Sequence, residues 1–381
     1  MRTTCLAVVL LAATSIPAVA QPPRVTPACD RACLEGYMDR YLDAMLANDV
    51  NAKLFARDVK FTENGVRLPL GNEGLWFGMS GKGRYKFYVP DVETQQVAFL
   101  GTAIENTRNR GANDGQGDLV AIAVRLKIVG NLITEVEQLA VRPDTGLGGA
   151  RGGGAGGAGA GGARAGGAAA APAAAAAGRG AAPAPQAAGG ATPAAGGGRA
   201  AGAAPAAGGA RGAGAGGSPP TGEAVEAMKE PHPIFREVIP EAKRPSREEL
   251  IETANFYFTG LARNDGKGYY PFTADCDRFE NGRAMTQTNC KQQFENTLRG
   301  IVSRIRDRRF VAVDRERGIV FAFAFFDHDN INWTWQLAEL FKIENGQIRR
   351  VEAIFHRAPY GTPSGWSTFE QAMSESIQSV R

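Results

Sequence analysis

Between Gly146 and Gly222 the sequence is almost wholly alanine, glycine and proline. A stretch with no aromatic residue and no β-branched periodicity cannot bury the apolar surface needed to offset the entropy of ordering a chain. The tract therefore reads as a disordered tether. Ala168–Ala177 has the composition of a transient helix, but glycine and proline surround it. A flexible chain of this length spans on the order of 50 Å root-mean-square. The chain divides accordingly into residues 21–145, a tether at 146–222, and residues 223–381. Five arginines (Arg151, Arg164, Arg179, Arg199 and Arg211) and no acid fall in the tract, so the formal net charge of +4 leaves the rest of the chain at −1. The folded parts are near neutral and carry no electrostatic footprint for nucleic acid. The isolated arginines also lack the interleaved aromatics of RNA-binding tracts.

Residues 1–20 read as a signal peptide. Arg2 gives a positive start, an apolar run extends from Cys5 to Ala13, and Ala18-Val19-Ala20 is a small-x-small cleavage pattern. The run is too short for a stable anchor, and no later segment is continuously apolar for long enough. The expectation is an exported protein, periplasmic or extracellular, with no stable membrane insertion. Cys5 leaves with the signal peptide, and Cys29, Cys33, Cys276 and Cys290 remain. An even count in an oxidising compartment reads as disulfides. Cys29 and Cys33 lie one helical turn apart, within disulfide reach, and Cys276 with Cys290 closes a short loop. The alternative is a metal or redox site, but no pair has CxxC spacing and only three histidines are present. No metal and no cofactor are expected.

The two flanks of the tether repeat each other. Tyr41–Asp49 parallels Tyr257–Asp265, Phe61–Gly65 parallels Arg278–Gly282, and Leu126–Glu137 parallels Phe341–Glu352 in the same order and spacing. Each copy opens with an amphipathic helix: Leu34, Tyr37, Tyr41 and Met45 in the first, Leu250, Ala254, Tyr257 and Leu261 in the second. Ser246 with Glu249 forms a capping box. Asn64-Gly65 and Asn281-Gly282 turn a short hairpin in each copy. The second copy adds a helix near Lys291–Ile305 and strands at Phe310–Asp314, Ile319–Asp327, Trp333–Ile343 and Ile348–Phe355. Helices followed by an antiparallel sheet make an α+β layout.

This order of elements, closing on the Lys-Ile-x-Asn-Gly-x-Ile turn at Lys342–Ile348, resembles the NTF2-like, or SnoaL-like, cone. More narrowly, Cys29–Cys33, Phe61–Gly65, Leu68–Gly71, Arg278–Gly282, Val313–Gly318 and Pro359–Gly361 resemble an uncharacterised tandem-domain family (DUF8021-like) of bacteria and fungi. The resemblance covers both folded regions and excludes the tether. It implies two cone domains, each with helices packed on a curved sheet that encloses one apolar pocket, and names no activity. The superfamily includes isomerases, dehydratases, epoxide hydrolases, polyketide cyclases and non-catalytic binding modules, so fold leaves function open.

A buried polar group on the concave face is the feature to seek. On the strand Trp333–Ile343, the residues Trp333, Trp335, Leu337, Phe341 and Ile343 share one face, and Glu339 is the only polar residue among them. Val351, Ala353 and Phe355 are expected to extend that face on the next strand, and Phe321, Phe323 and Phe325 on the preceding one. A carboxyl group there has a raised pKa unless paired, as a general acid or base requires. A bulged turn sets Glu339 opposite Val351 and diagonal to Arg349, within salt-bridge reach, whereas a two-residue turn sets it opposite Glu352. Other candidates are His356, a proton shuttle at the pocket mouth or a capping histidine, and Glu280 beside the hairpin, which repeats Glu63. Asp327-His328-Asp329 reads as a loop rather than a metal cluster, and Arg304, Arg306, Arg308 and Arg309 as a solvated face. No GxSxG elbow, phosphate loop or zinc signature is present. Two functions follow. One is a binding or assembly module, holding a small apolar ligand or pairing domain with domain or copy with copy. The other is a cofactor-independent isomerase, dehydratase or hydrolase whose site lies in the second copy, since Val124 and Val141 stand in the first where Glu339 and His356 stand in the second.

Overall fold

The computed structural model describes residues 29–50, 53–109, 112–142, 225–286 and 288–379. The expected signal peptide and tether lie outside them. The repeat becomes two six-stranded mixed sheets of the same topology, ordered β2-β1-β6-β5-β4-β3 and β8-β7-β12-β11-β10-β9. In the first domain α1 spans Arg31–Leu46, β1 Phe55–Glu63, β2 Val66–Arg67, α2 Gly74–Gly78, β3 Met79–Asp91, β4 Gln96–Glu105, β5 Asp118–Val129 and β6 Leu132–Val141. In the second, α3 spans Arg247–Leu261, β7 Phe272–Glu280, β8 Arg283–Ala284, α4 Cys290–Asn296, β9 Arg304–Asp314, β10 Ile319–His328, β11 Trp333–Glu344, β12 Gln347–Pro359 and α5 Phe369–Met373. The meanders are antiparallel, while β1 runs parallel to β6 and β7 parallel to β12.

Local chemistry explains the element ends. Ser246 and Glu249 close the expected capping box on α3, and Asp30 caps α1 by accepting from the Cys33 amide. The hairpins turn at Asn64-Gly65 and Asn281-Gly282, both residues at positive φ in each case, as a type I′ turn demands. Disulfides join Cys29 to Cys33, with Cα atoms 5.3 Å apart, and Cys276 to Cys290, at 5.4 Å. The helix expected to reach Ile305 ends at Asn296. Thr297 caps it, Gly300 at positive φ turns the chain, and the arginine run begins β9 instead. That run is no solvated face: Arg306, Arg308 and Arg309 are buried, and Arg306 shares Asp327 with Arg304.

Each first helix supplies aromatics to its own sheet's inner face. Tyr257 and Phe258 of α3 meet Phe341 of β11 at centroid separations of 5.3 and 5.7 Å. Tyr41 of α1 meets Trp76 at 5.3 Å. The outer faces are apolar too, and they pack on each other. Tyr85, Phe87, Val89, Leu100 and Leu139 from the first sheet share one buried cluster with Val311, Phe321, Phe323, Leu340 and Ile354 from the second. Each large side chain buried there contributes about 1.5–3 kcal/mol.

The docking is reciprocal. Arg31, the first residue of α1, makes a two-pronged bond to Asp314 at the end of β9 (2.8 and 2.6 Å). Arg247, the first residue of α3, reaches Asp91 at the end of β3 (2.5 Å). Glu137 of β6 binds Arg309 of β9, while its repeat Glu352 of β12 binds Tyr85 of β3. The two helix-to-strand pairs match and the two glutamate pairs share only the acid, so the interface is close to an isologous one made within one chain. The segments around domain two fasten it further. Phe235 packs tilted against Phe87 at a centroid separation of 5.2 Å, and the Trp366 indole donates to Thr62 (2.8 Å). The chain passes so close to the first hairpin that a Cβ on Gly65 would lie 2.6 Å from the Pro363 carbonyl.

Candidate functional site

The inner face of the second sheet is set by the register of β11. Glu339 pairs with Ala322 of β10 and Ala353 of β12. Two alanine neighbours leave its carboxyl group to face the helix and β7 rather than a cross-strand side chain. Trp335, Leu337 and Phe341 lie on the same face, in or against the inner core, and Trp333 follows the same alternation.

Glu339 is only 2% exposed. Its carboxyl group meets the Tyr257 hydroxyl of α3. That hydroxyl accepts from Arg278 Nε of β7 (2.9 Å), and Arg278 also donates to Gln293 Oε1 (2.8 Å) and to Glu280. Glu280 thus holds the guanidinium rather than the site's free carboxyl group. Glu339 Oε2 has no hydrogen-bond partner among the described residues. Burial pushes the Glu339 pKa up to about 8, against the pull of the Arg278 charge and the Tyr257 hydrogen bond. Burial thus favours the neutral acid, and one of its oxygens is uncommitted.

Farther along the same face, Trp335 lies between His328 (4.3 Å) and Phe355 (4.8 Å, stacked). His328 belongs to β10 rather than to a loop, and is fully buried. Burial lowers its pKa, partly offset by the Phe326 backbone and the Asp327 and Asp329 charges. Neither ring nitrogen, nor Trp333 Nε1, has a hydrogen bond of ordinary geometry among the described residues. Asp327 points the other way, into Arg304, Arg306 and Thr334.

Four expected site residues do not join Glu339. Phe323 and Phe325 pair with Ala338 and Gln336, so pleating turns them to the outer face. There Phe323 enters the interdomain cluster and Arg306 lies over Phe325. Arg349 sits in a bulge between Lys342 and Ile343 of the opposing strand and bonds Glu344 (2.7 Å) and Glu237 (2.9 Å) instead. The turn has two residues, as in one reading, yet it is followed by a bulge, as in the other, and their combination sets Glu339 opposite Ala353. His356 pairs with Gln336 on the outer side, and burial lowers its pKa to about 4. With the Gln336 amide turned to donate to His356 Nε2, it also donates to the Asn64 carbonyl and accepts from the Gly65 amide, each at 3.1 Å. His356 therefore belongs to the domain junction.

The first domain closes the equivalent site. Val124 replaces Glu339, and Gln138 replaces Ala353. The Tyr41 hydroxyl donates to Gln138 Oε1 (2.8 Å), and Gln138 Nε2 donates to Glu63 (3.0 Å). Glu63 also accepts from the Leu75 amide and from Arg142. Arg278, Tyr257 and His328 are the residues that sequence reasoning left out of the site. A signal for Arg278 was present, since it stands where the first copy has Phe61.

Residues 243–355, within the second domain, match the family described as "Domain of unknown function (DUF8021)". No curated protein matches the chain. Among solved structures, the crystal structure of a de novo designed protein with curved beta-sheet is similar at 16% identity, over 29% of this chain and 88% of that chain, with a TM-score of 0.23. The matched family thus assigns the second domain no activity, and it covers the region that holds Glu339, Arg278 and His328.

Proposed function

We propose that this is an exported binding protein of two NTF2-like domains, in which the second holds a small, largely apolar ligand against its inner sheet face and the first serves as its structural partner. The observation that carries the reading is the Glu339 carboxyl group. It is buried among aromatic and aliphatic side chains, with one oxygen uncommitted. The duplicated domain has valine at the same place and a closed hydrogen-bond network around its tyrosine. Burying a polar group without a partner costs several kcal/mol on the steepest scales, so its presence in one copy only argues for use. A protonated carboxyl group would donate to a carbonyl or hydroxyl of the ligand, and Trp335 and Phe355 would contact its apolar body. Native mass spectrometry of protein purified from its own host tests this. A bound small molecule is expected in the wild type and absent in Glu339→Val. Retention of the same molecule by the valine protein would refute the role of Glu339.

The same group supports a second reading, a cofactor-independent isomerase, dehydratase or hydrolase, because an acid with a pKa of about 8 exchanges its proton near neutral pH. A turnover whose pH dependence disappears in Glu339→Gln would decide for it.

A further inference from the structure

A second site lies on the other side of the second domain, where the outer face of sheet one, strand β9 and the C-terminal segment meet. A cleft of about 290 Å³ opens there, lined among others by Lys60, Arg125, Glu135, Arg309, Trp366 and Gln378. None of these residues belongs to the Glu339 site. The cleft exists only in the docked chain, since Lys60 comes from β1, Arg125 from β5, Arg309 from β9, and Trp366 from beyond β12.

Its charges are unevenly committed. Arg125 is held by Glu135 and by Gln96 (2.6 Å), with Glu137 at 3.8 Å. Arg309 is held by Glu137 (2.6 Å) and lies 3.2 Å from Asp307. Lys60 makes no ion pair among the described residues. Its ammonium instead lies 3.9 Å from the centre of the Trp366 ring, on which the Arg125 guanidinium also rests at 5.0 Å. Burial lowers the Lys60 pKa, against the pull of Glu135 and Glu137, which act on this cation from beyond ion-pair distance while its ammonium rests on the indole. The Gln371 amide on the cleft wall uses its oxygen on the Thr368 amide, so what it has left to offer is a donor.

We propose that this interdomain cleft binds a small organic monocarboxylate, with the Lys60 ammonium as its counter-ion and Trp366 as the wall for its carbon skeleton. One uncommitted cation matches a single negative charge. A doubly charged phosphate would need a second, and Arg125 and Arg309 are already committed to carboxylates. The volume holds a small acid, and the half-buried indole offers apolar contact beside the charge. Because Trp366 is anchored to Thr62 of the first domain, occupancy also ties the two domains together.

Ligand-observed NMR on the full oxidised chain tests the proposal with lactate, benzoate and glucuronate, each paired with its uncharged counterpart (lactamide, benzamide, glucose), and with inorganic phosphate. At least one acid is expected to bind in the millimolar range and its neutral twin about tenfold more weakly, the equivalent of about 1.4 kcal/mol. Lys60→Gln should lose that preference, Lys60→Arg should keep it, and Glu339→Gln should leave it unchanged. Absence of binding by all three acids, equal binding of the neutral twins, tighter binding of phosphate, or an unaltered preference in Lys60→Gln would each overturn it. If Lys60→Gln fails to fold, the arginine variant decides: it keeps the charge, so its loss of the preference would also reject the assignment.

Discussion

The pH dependence of stability should carry the imprint of one residue, Glu339. Moving its carboxyl pKa from the ordinary 4.5 to about 8 means that between those values the folded chain keeps a proton the unfolded chain has released. Stability then falls as pH rises, because the folded state binds more protons. The contribution is fully present below the unfolded value and lost as pH climbs through the folded one. At about 1.4 kcal/mol per pKa unit, the shift amounts to on the order of 5 kcal/mol, a large part of the roughly 5–15 kcal/mol by which domains are stable. Glu339→Gln keeps the shape and removes the titration. Urea unfolding of both proteins with disulfides intact, at steps between about pH 5 and about pH 8.5, gives two curves whose difference isolates this group. The variant should gain on the wild type by several kcal/mol across that range and overtake it at the alkaline end. Parallel curves would refute the reasoning, because they would mean that Arg278 and Tyr257 already hold the ionised form.

Three further outcomes follow from the docking and the disulfides. Arg247→Ala should destabilise the chain by about 3 kcal/mol, because it leaves the fully buried Asp91 without its guanidinium; an unchanged thermal midpoint would argue against a tight interface. Replacing Cys276 and Cys290 together by serine opens a loop of sequence separation 14 and should cost about 2–3 kcal/mol, read as a lower urea midpoint at constant slope. A chain nicked once within residues 146–222 should still elute as one species on gel filtration, because the outer faces of both sheets are apolar and cover each other; separation of the halves would show that an intact chain is needed for docking.

Much of this was legible without coordinates. The helix stripes, the capping box, the Asn-Gly hairpins and the two cysteine pairs depend on neighbours within about 14 residues, where spacing and turn chemistry govern, and the repeat needs only a comparison of the chain with itself. Glu339 stood out for the same reason, since alternation along a single strand puts it among tryptophans, leucine and phenylalanine. Alternation does not say which face of a strand is turned inward when both faces are apolar. Ile319–His328 is buried throughout, and its phenylalanines divide between the inner core and the domain junction according to pairing with β11, which only the register decides. A one-residue bulge at Arg349 decides which β12 residue lies opposite Glu339 and turns His356 to the outer face. The second apolar face had no visible owner in the sequence because its partner lies in the other copy, far along the chain. Only the tertiary structure joined Arg31 to Asp314, Arg247 to Asp91, and Lys60 to Trp366. Such pairings depend on how two finished surfaces meet, and no local period encodes that.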